Sequence, residues 1–315
     1  MDSFRGGPWL ILCRTPHPLA SLTKGANTEE AKAGGTAPGI AIFIYGRRGY
    51  AAAAEHLALT LRKHSPHVPI HIWAGAGMSF DRSLFHKVHE LAPKWYVNGP
   101  GTLKVSIYDI LPEGDWLYLD ADTLCIADIG PFIERLNAHP FALEVLGKGS
   151  EGDAIQYTPW ATQATIKRVN KLKDGATYYG VQSSWMWIRK PSKEAAAIFK
   201  AAKAANYTRE DLKEPWGQDI PDELRFATAL TVTGIEPYTE RVLFYGQGKE
   251  YKGLAEVSKV FPLVCLYGDN RQHRLIRSTW FDAYDRYLRN CYAQASRTMF
   301  YSLHRVMDDK YINHK

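Results

Sequence analysis

Apolar runs separated by a helical segment constrain the fold of this 315-residue chain more than any other feature. Ile40–Gly46 (IAIFIYG) is an uninterrupted apolar run that ends in glycine, and Val68–Gly75 (VPIHIWAG) is a second one. Between them, Tyr50–His64 is rich in Ala and Leu at helical spacing. A strand, a helix and a strand with short connections predict a βαβ unit, and hence a parallel sheet with a right-handed crossover.

The pattern continues through the first half of the chain. We expect a second helix at Phe80–Pro93, a strand near Trp95–Val97 and a third helix at Gly101–Leu111. Gly114–Asp122 (GDWLYLDAD) then predicts the fourth parallel strand. Up to this point the chain has the pattern of an open, doubly wound sheet, and such sheets bind their ligands at the carboxyl ends of the strands.

The second half has a mixed pattern and no internal repeat. Trp185 and Trp187 lie two residues apart in a strand, and Ser192 is placed to cap the helix that follows. The other elements that we expect there are helices within 131–140, 221–232 and 279–304 and a strand at 141–147.

Charge and cysteine content limit the class of protein. The net charge is +6, and the excess of Lys and Arg over Asp and Glu lies in the two ends of the chain. Basic ends favour an anionic partner, such as a nucleotide phosphate or nucleic acid, although a merely basic protein has the same composition. The four cysteines form no CxxC pair, and no apolar run approaches the roughly 18 residues that cross a bilayer. We therefore expect a cytoplasmic protein without a membrane span.

Two carboxylates follow the fourth strand. In a strand, residues i and i+2 point to the same side, so Asp120 and Asp122 would face one site. Carboxylates with room for water and substrate oxygens suit Mg²⁺ or Mn²⁺, which would neutralise a diphosphate and help it leave. The alternative is that Asp122 caps the next turn and Asp120 is solvated.

In this context, Leu117–Cys125 (LYLDADTLC) resembles the Asp-x-Asp strand of the GT-A-fold glycosyltransferases. The chain is most similar to the retaining family 8 type, which includes glycogenin and bacterial galactosyltransferases, from about residue 40 to 274. The resemblance implies an α/β GT-A fold with a mostly parallel, doubly wound sheet. It implies an N-terminal edge strand and flexible segment at 1–39, a catalytic domain at 40–275, and a basic, aromatic C-terminal helical extension at 276–315.

The resemblance also implies roles for individual residues around the donor sugar. Lys104 matches an upstream lysine that faces the donor sugar or phosphate, and Gln182 stands at the asparagine of the family's FNSGV strand. The family's DQxxLN motif matches Asp222 and Glu223, which a helix follows directly, better than it matches Asp219. Glutamate at the glutamine position leaves a covalent route open beside the front-side route usually proposed.

The family's last motif, HxxGxxKP, corresponds to CLYGDNRQ in this chain. Gly268 is kept, and Arg271 stands where the lysine would grip the diphosphate. Cys265 takes the place of the histidine, the third metal ligand, and a thiolate is a poor ligand for Mg²⁺. After the first strand, Tyr45 and Arg47 lie where this fold seats the base and ribose.

The function implied is metal-dependent, retaining transfer of a sugar from a nucleotide-diphosphate sugar, a UDP-sugar above all, to an acceptor hydroxyl. Asp120 and Asp122 would hold Mn²⁺ or Mg²⁺. One alternative is a phage-type transferase that acts on hydroxylated pyrimidine bases in DNA. Arginines and aromatics interleaved near the C-terminus support it, since both suit phosphate and base contacts.

Two other classes of protein stay open. One is a non-catalytic module that binds a sugar nucleotide or a glycan, since the family's histidine is missing. The other is a nucleotidyltransferase, which should carry a Gly-rich, basic loop after the first strand. Gly46–Gly49 (GRRG) is short for such a loop.

Overall fold

The structure is a computed structural model that describes seven stretches of the chain: residues 38–46, 48–153, 160–213, 219–245, 251–265, 283–284 and 286–291. The strands within them are β1 (Gly39–Ile44), β2 (Ile70–Ala74), β3 (Lys87–Glu90), β4 (Gly114–Leu119), β5 (Thr123–Cys125), β6 (Phe141–Gly149), β7 (Tyr178–Lys190), β8 (Leu243–Phe244) and β9 (Leu263–Cys265). The helices are α1 (Arg48–His64), α2 (Pro100–Ile110), α3 (Gly130–Leu136), α4 (Gln163–Asn170), α5 (Lys193–Ala204), α6 (Asp222–Thr233) and α7 (Leu254–Val257).

A six-stranded mixed sheet with the strand order β3-β2-β1-β4-β7-β6 forms the centre of the molecule. The first four strands in this order are parallel, and β7 pairs antiparallel with both β4 and β6. The chain leaves β1 toward β2 on one side, while β4 lies on the other. The strand order therefore reverses between β1 and β4, and open α/β sheets bind ligands at such a point.

Helices cover both faces of this sheet. Helix α1 packs on one face, where Leu57 and Leu61 are fully buried beside the strand residues Ile40 and Ile42. Helices α2, α5 and α6 supply residues to the core on the opposite face, with Phe226 of α6 buried there. These two cores confirm the expected mostly parallel, doubly wound α/β architecture.

A second sheet of three strands, in the order β5-β9-β8, lies beyond the end of β4. Thr123 of β5 pairs with Cys265 of β9. Because Thr123 directly follows Asp122, this pairing brings the later part of the chain next to the two aspartates.

Two expected elements are wrong. Phe80–Pro93 is not a helix: it holds a single 3₁₀ turn that Asp81 caps, followed by strand β3 on the sheet edge. The backbone N–H of Ile70 donates to His86 Nδ1 at 2.9 Å, and pairing with β2 outweighs the helical spacing of the apolar residues. The strand expected at 95–97 is replaced by a 3₁₀ turn that begins at Pro93.

The other elements that the sequence predicts in the described stretches are present. Trp185 and Trp187 of β7 are fully buried, and Ser192 caps α5 by accepting from the backbone N–H of Ala195 at 3.1 Å. No helix in the described stretches is long and apolar enough to cross a bilayer. Most of the expected segments 1–39 and 276–315 lies outside the described residues.

Candidate active site

The two aspartates lie in the turn between β4 and β5, just past the end of the parallel strand. The backbone N–H of Asp120 donates to the carbonyl of Ser184 at 2.9 Å, and that of Thr123 donates to the carbonyl of Asp120 at 3.2 Å. Strand β4 therefore ends at Leu119 and not at Asp122, so the turn begins three residues earlier than the sequence predicts. It still keeps Asp122 close enough to Asp120 to raise the pKa of that carboxyl.

Lys104 of α2 lies between two carboxylates. Its Nζ is 3.0 Å from Asp120 Oδ2 and 2.9 Å from Asp222 Oδ2, and the lysine side chain is only 13% exposed. Burial disfavours the ammonium, but Asp120 and Asp222 outweigh it, and the pKa of Lys104 rises well above its ordinary value. The site therefore holds a permanent positive charge at the end of β4.

Asp120 is held from both sides. The hydroxyl of Tyr118 donates to Oδ1, while Lys104 binds Oδ2. Burial raises the pKa of Asp120, Lys104 opposes that effect, and Asp122 adds to it, so that the pKa ends above its ordinary value. Protons and cations therefore compete for this carboxylate.

Asp222 and Glu223 begin helix α6 beneath the same lysine. Ser183 Oγ donates to Asp222 Oδ2, which also receives the ion pair from Lys104. Glu223 differs, because burial, and then the charge of Asp222, raise the pKa of its carboxyl. The structure thus places a carboxylate held by two partners next to one whose pKa is raised, both at the start of α6.

Asp219 fills a different place. Its Oδ2 accepts from the backbone N–H of Gly101 at 2.6 Å, in the first turn of α2. A Cβ on Gly101 would lie 2.3 Å from the carbonyl oxygen of Ile220, so the two backbones meet at a point that only glycine permits. Asp219 therefore fixes the N-terminus of the helix that carries Lys104.

Tyr45 follows β1 and stacks on Tyr96, with ring centroids 4.7 Å apart and an interplanar angle of 21°. Gly75 lies beneath the pair, and a Cβ there would come within 2.9 Å of Tyr45 Cβ. Burial raises the pKa of Tyr45, and the charges of Asp219 and Lys104 also act on it. The ring therefore borders the site on the β1 side.

Gln182 lies on β7, on the opposite side of β4 from the strand that Tyr45 follows, and Cys265 lies in the second sheet. Gln182 is half-buried on β7, and its Nε2 donates to Ser184 Oγ at 3.2 Å. Cys265 is buried at the end of β9. Arg47, Gly268 and Arg271 fall outside the described residues, so their predicted roles stay predictions.

The sequence reading missed three residues of the site. Tyr118 carried a signal, because it lies near the end of β4, two residues before Asp120. Ser183 carried no such signal, since the direction of its side chain depends on an irregular part of β7. Arg225 lies one turn after Asp222 on α6, and its buried Nε has no hydrogen-bond partner among the described residues.

Asp120 and Asp122 suit a hard divalent cation, as the resemblance implied. Each carboxylate oxygen has two lone pairs, so the bonds from Lys104 and Tyr118 leave Asp120 able to accept a cation. In the described stretches, no group of three His, Cys, Asp or Glu could hold a metal alone. Since Mg²⁺ is commonly bound by one or two carboxylates plus substrate phosphates, these residues fit an ion that arrives with a diphosphate.

The fold is similar to solved glycosyltransferase structures. No family model and no curated protein matches the chain in sequence. The solved structure of the galactosyltransferase LgtC with donor and acceptor sugar analogues is similar at a TM-score of 0.50 and 16% identity, covering 84% of this chain and 99% of that one. An active-site mutant of LgtC, in which glutamate replaces a glutamine, is similar at 0.51 and 15%, covering 85% and 99%. The chain therefore has the GT-A fold of the glycosyltransferases.

Proposed function

We propose that this protein is a glycosyltransferase that moves a sugar from a nucleotide-diphosphate sugar to an acceptor hydroxyl. The observation that carries the proposal is the position of Lys104 between Asp120 and Asp222, at the carboxyl end of β4 in a GT-A fold. The similar structure LgtC is a galactosyltransferase that was solved with donor and acceptor sugar analogues. We take UDP as the nucleotide, because the resemblance implies it.

The donor would lie across the carboxyl ends of β1 and β4, where the strand order reverses. Tyr45 offers a ring face for the base, since Tyr96 stacks on its other face. Lys104 would neutralise a diphosphate oxygen. Asp120 and Asp122 would hold Mn²⁺ or Mg²⁺, which supplies Lewis-acid stabilisation to the leaving diphosphate when it is bound.

Around the sugar, Asp222 and Glu223 would act in different ways. Lys104 and Ser183 hold Asp222 in one orientation, so it suits hydrogen bonds to sugar hydroxyls. Glu223 is half-buried, and its raised pKa favours a neutral acid until a positive charge develops nearby.

We propose transfer with retention of the anomeric configuration. The acceptor hydroxyl would attack from the face that the diphosphate leaves, with Glu223 stabilising the positive charge that develops on the sugar. Attack by Glu223 on the anomeric carbon, to form a glycosyl-enzyme that the acceptor then breaks, is the second route. Mass spectrometry of the denatured protein after incubation with donor alone separates the two, because only the second route leaves a hexose on the chain.

A donor screen tests the proposal. UDP-galactose, UDP-glucose and UDP-N-acetylglucosamine would each be incubated with the protein and Mn²⁺, and released UDP would be measured with and without sugar acceptors. We expect release from one donor, loss of that release in Asp222→Asn, and no loss in Glu113→Gln, which changes an exposed carboxylate far along the chain. UDP binding without release from any donor would instead support the non-catalytic module.

The proposed acceptor is a molecule that carries a hydroxyl group. A sugar is the first choice, because LgtC was solved with an acceptor sugar analogue. The DNA alternative depends on the basic C-terminal segment. Most of that segment lies outside the described residues, and no contact in the described ones favours DNA.

A further inference from the structure

A second group of polar side chains lies behind the active site. Glu144 of β6 is only 2% exposed. Its Oε2 accepts from the Tyr245 hydroxyl at 3.2 Å, and its Oε1 lies 4.0 Å from Arg241 Nε. Within the described residues, Oε1 has no hydrogen-bond partner. A buried carboxyl with only one hydrogen bond is costly, and the proposed transfer does not itself use it.

Glu144 is connected to Gln182 through two hydroxyls. Burial raises the pKa of Tyr245, and the side chain of Ser184 opposes that effect as a hydrogen-bond partner of the tyrosine would. Gln182 Nε2 in turn donates to Ser184 Oγ at 3.2 Å. Four side chains therefore form one relay, which runs from β6 through the residue after β8 to β7.

An irregularity in the sheet makes this relay possible. Leu143 of β6 pairs with Met186, but the next residue, Glu144, pairs with Gln182. Residues 183–185 of β7 therefore have no pairing partner on β6 at this point. Such bulges change the direction of side chains and occur next to active sites. Ser183, one of the three, turns toward Asp222 on α6.

The donors and acceptors in the relay fix its direction. An ionised carboxylate only accepts, so the single proton of the Tyr245 hydroxyl goes to Glu144. Ser184 must then donate to Tyr245, and its oxygen accepts from Gln182. Gln182 can meet that oxygen only with its NH₂ group, which turns its carbonyl oxygen away from Ser184.

The part of β7 that carries Gln182 borders the active site. Ser184, at the next link of the relay, accepts from the backbone N–H of Asp120 through its carbonyl, and the intervening Ser183 binds Asp222. We propose that Glu144 is a positioning residue that acts through Tyr245 and Ser184 to hold the carbonyl oxygen of Gln182 toward the donor sugar. This inference rests on the proposed function for the identity of the ligand, but the relay itself does not.

The relay has a second arrangement. When Glu144 is neutral with its proton on Oε2, it donates to Tyr245, and each hydroxyl can turn round. The Gln182 carbonyl oxygen would then accept from the Ser184 hydroxyl, and its NH₂ group would face the site. Burial, opposed mainly by Arg241, raises the pKa of Glu144 to about 7, so both arrangements are accessible near neutral pH. The other groups that face the relay are Trp185 beside Glu144, and Cys265 beside Tyr245.

Nuclear magnetic resonance tests the relay without turnover. In the full chain labelled with ¹⁵N-glutamine, the Gln182 side-chain amide is identified by its loss in Gln182→Ala. We expect its two proton signals to shift between pH 6 and pH 8 with a midpoint near 7 in the wild type. The signals should stay constant in Glu144→Gln and in Tyr245→Phe. Constant signals in the wild type, or an unchanged titration in Tyr245→Phe, would overturn the relay.

Activity tests the positioning role by a double-mutant cycle. UDP release from UDP-galactose and from UDP-glucose, each with Mn²⁺, is measured for Tyr245→Phe in the wild-type and Gln182→Ala backgrounds. We expect a loss of about tenfold in the first background and no further loss in the second, because the hydroxyl acts only through Gln182. Equal losses in both backgrounds would overturn the positioning role. If the wild type turns over no donor, the proposed function fails, while the resonance titration still decides the relay.

Discussion

Lys104 Nζ and Asp222 Oδ2 lie 2.9 Å apart and join α2 to the first residue of α6. The contact is buried on both sides, with the lysine 13% and the aspartate 5% exposed. Because α2 leads directly into β4, this ion pair also fixes α6 relative to the strand that ends at Asp120. A single buried cation thereby sets the distance between the proposed diphosphate site and the proposed sugar site.

Replacing Lys104 with methionine should destabilise the protein and abolish turnover. Asp120 and Asp222 would be left buried beside each other without a cation, which typically costs about 3–5 kcal/mol of unfolding free energy. Chemical denaturation measures that loss. We expect Lys104→Met combined with Asp222→Asn to recover part of it, because one of the uncompensated charges is removed.

Lys200→Met on α5 is the matched control for Lys104→Met, because Lys200 is an exposed lysine on another helix. It should leave both stability and UDP release unchanged. A Lys104→Met protein as stable as the wild type would contradict the buried ion pair.

Replacing Asp122 with asparagine should weaken the coupling between Mn²⁺ and UDP. The proposed ion has two protein carboxylates, so loss of one charge leaves the diphosphate as its main ligand. Calorimetric titration of UDP with and without Mn²⁺ measures the coupling as a ratio of affinities. We expect a large ratio in the wild type and in Glu113→Gln, and a ratio near one in Asp122→Asn. Equal ratios in all three proteins would exclude Asp122 as a ligand.

Local patterns in the sequence identified most of the fold. The apolar runs of β1, β2 and β4 are visible in the sequence because parallel strands are buried on both faces. Strand β3 was mistaken for a helix, because an edge strand of four residues has too little pattern to outweigh helical spacing. Its structure depends on pairing with β2, and such tertiary pairing leaves no signal in a short segment.

The site was only partly visible in the sequence. Asp120, Asp222 and Lys104 came from motifs, and the structure brings all three into contact. The relay from Glu144 could not be found in that way, because Tyr245 lies 101 residues from Glu144. A side-chain network between distant strands becomes visible only when the register of β6 against β7 is known.

The stability of the protein should fall as the pH rises from about 5 to 7, in part because of Glu144. Its ordinary pKa is 4.5 and burial raises the pKa in the folded state to about 7, so the folded state binds the proton more tightly than the unfolded state. Deprotonation across that window therefore costs about 3 kcal/mol of unfolding free energy, and the cost is constant at higher pH.

The variant Glu144→Gln should lack this cost. The unfolding free energies of both proteins are measured by urea denaturation from pH 4.5 to pH 8. The difference between Glu144→Gln and the wild type should increase in favour of the variant up to about pH 7 and then stay constant. Glu113→Gln, at an exposed position, should follow the wild type throughout. Parallel curves for Glu144→Gln and the wild type over the whole range would show that Glu144 has an ordinary pKa.

Replacing Tyr45 with alanine should weaken UDP binding about tenfold or more, because stacking of a base on an aromatic ring contributes about 1–3 kcal/mol. Tyr45→Phe keeps the ring and is the matched control. Its affinity should stay close to that of the wild type, since the base uses the ring face and not the hydroxyl. Calorimetry with UDP measures both variants. An equal loss in Tyr45→Phe would indicate that the hydroxyl, and not stacking, binds the nucleotide.

Replacing Gly101 with alanine should impair both stability and donor binding, although Gly101 touches no part of the proposed donor site. The added Cβ would lie 2.3 Å from the backbone oxygen of Ile220 and 3.0 Å from Asp219 Oδ2, and backbone cannot move aside as a flexible side chain can. Helix α2 would have to shift, and Lys104 would shift with it. Gly253→Ala is the matched control, because nothing lies within 4 Å of the Cβ it would add. We expect Gly101→Ala to lower the melting temperature and to weaken UDP binding, with both unchanged in Gly253→Ala. Normal UDP binding by a destabilised Gly101→Ala protein would show that the position of Lys104 does not depend on how Asp219 holds α2.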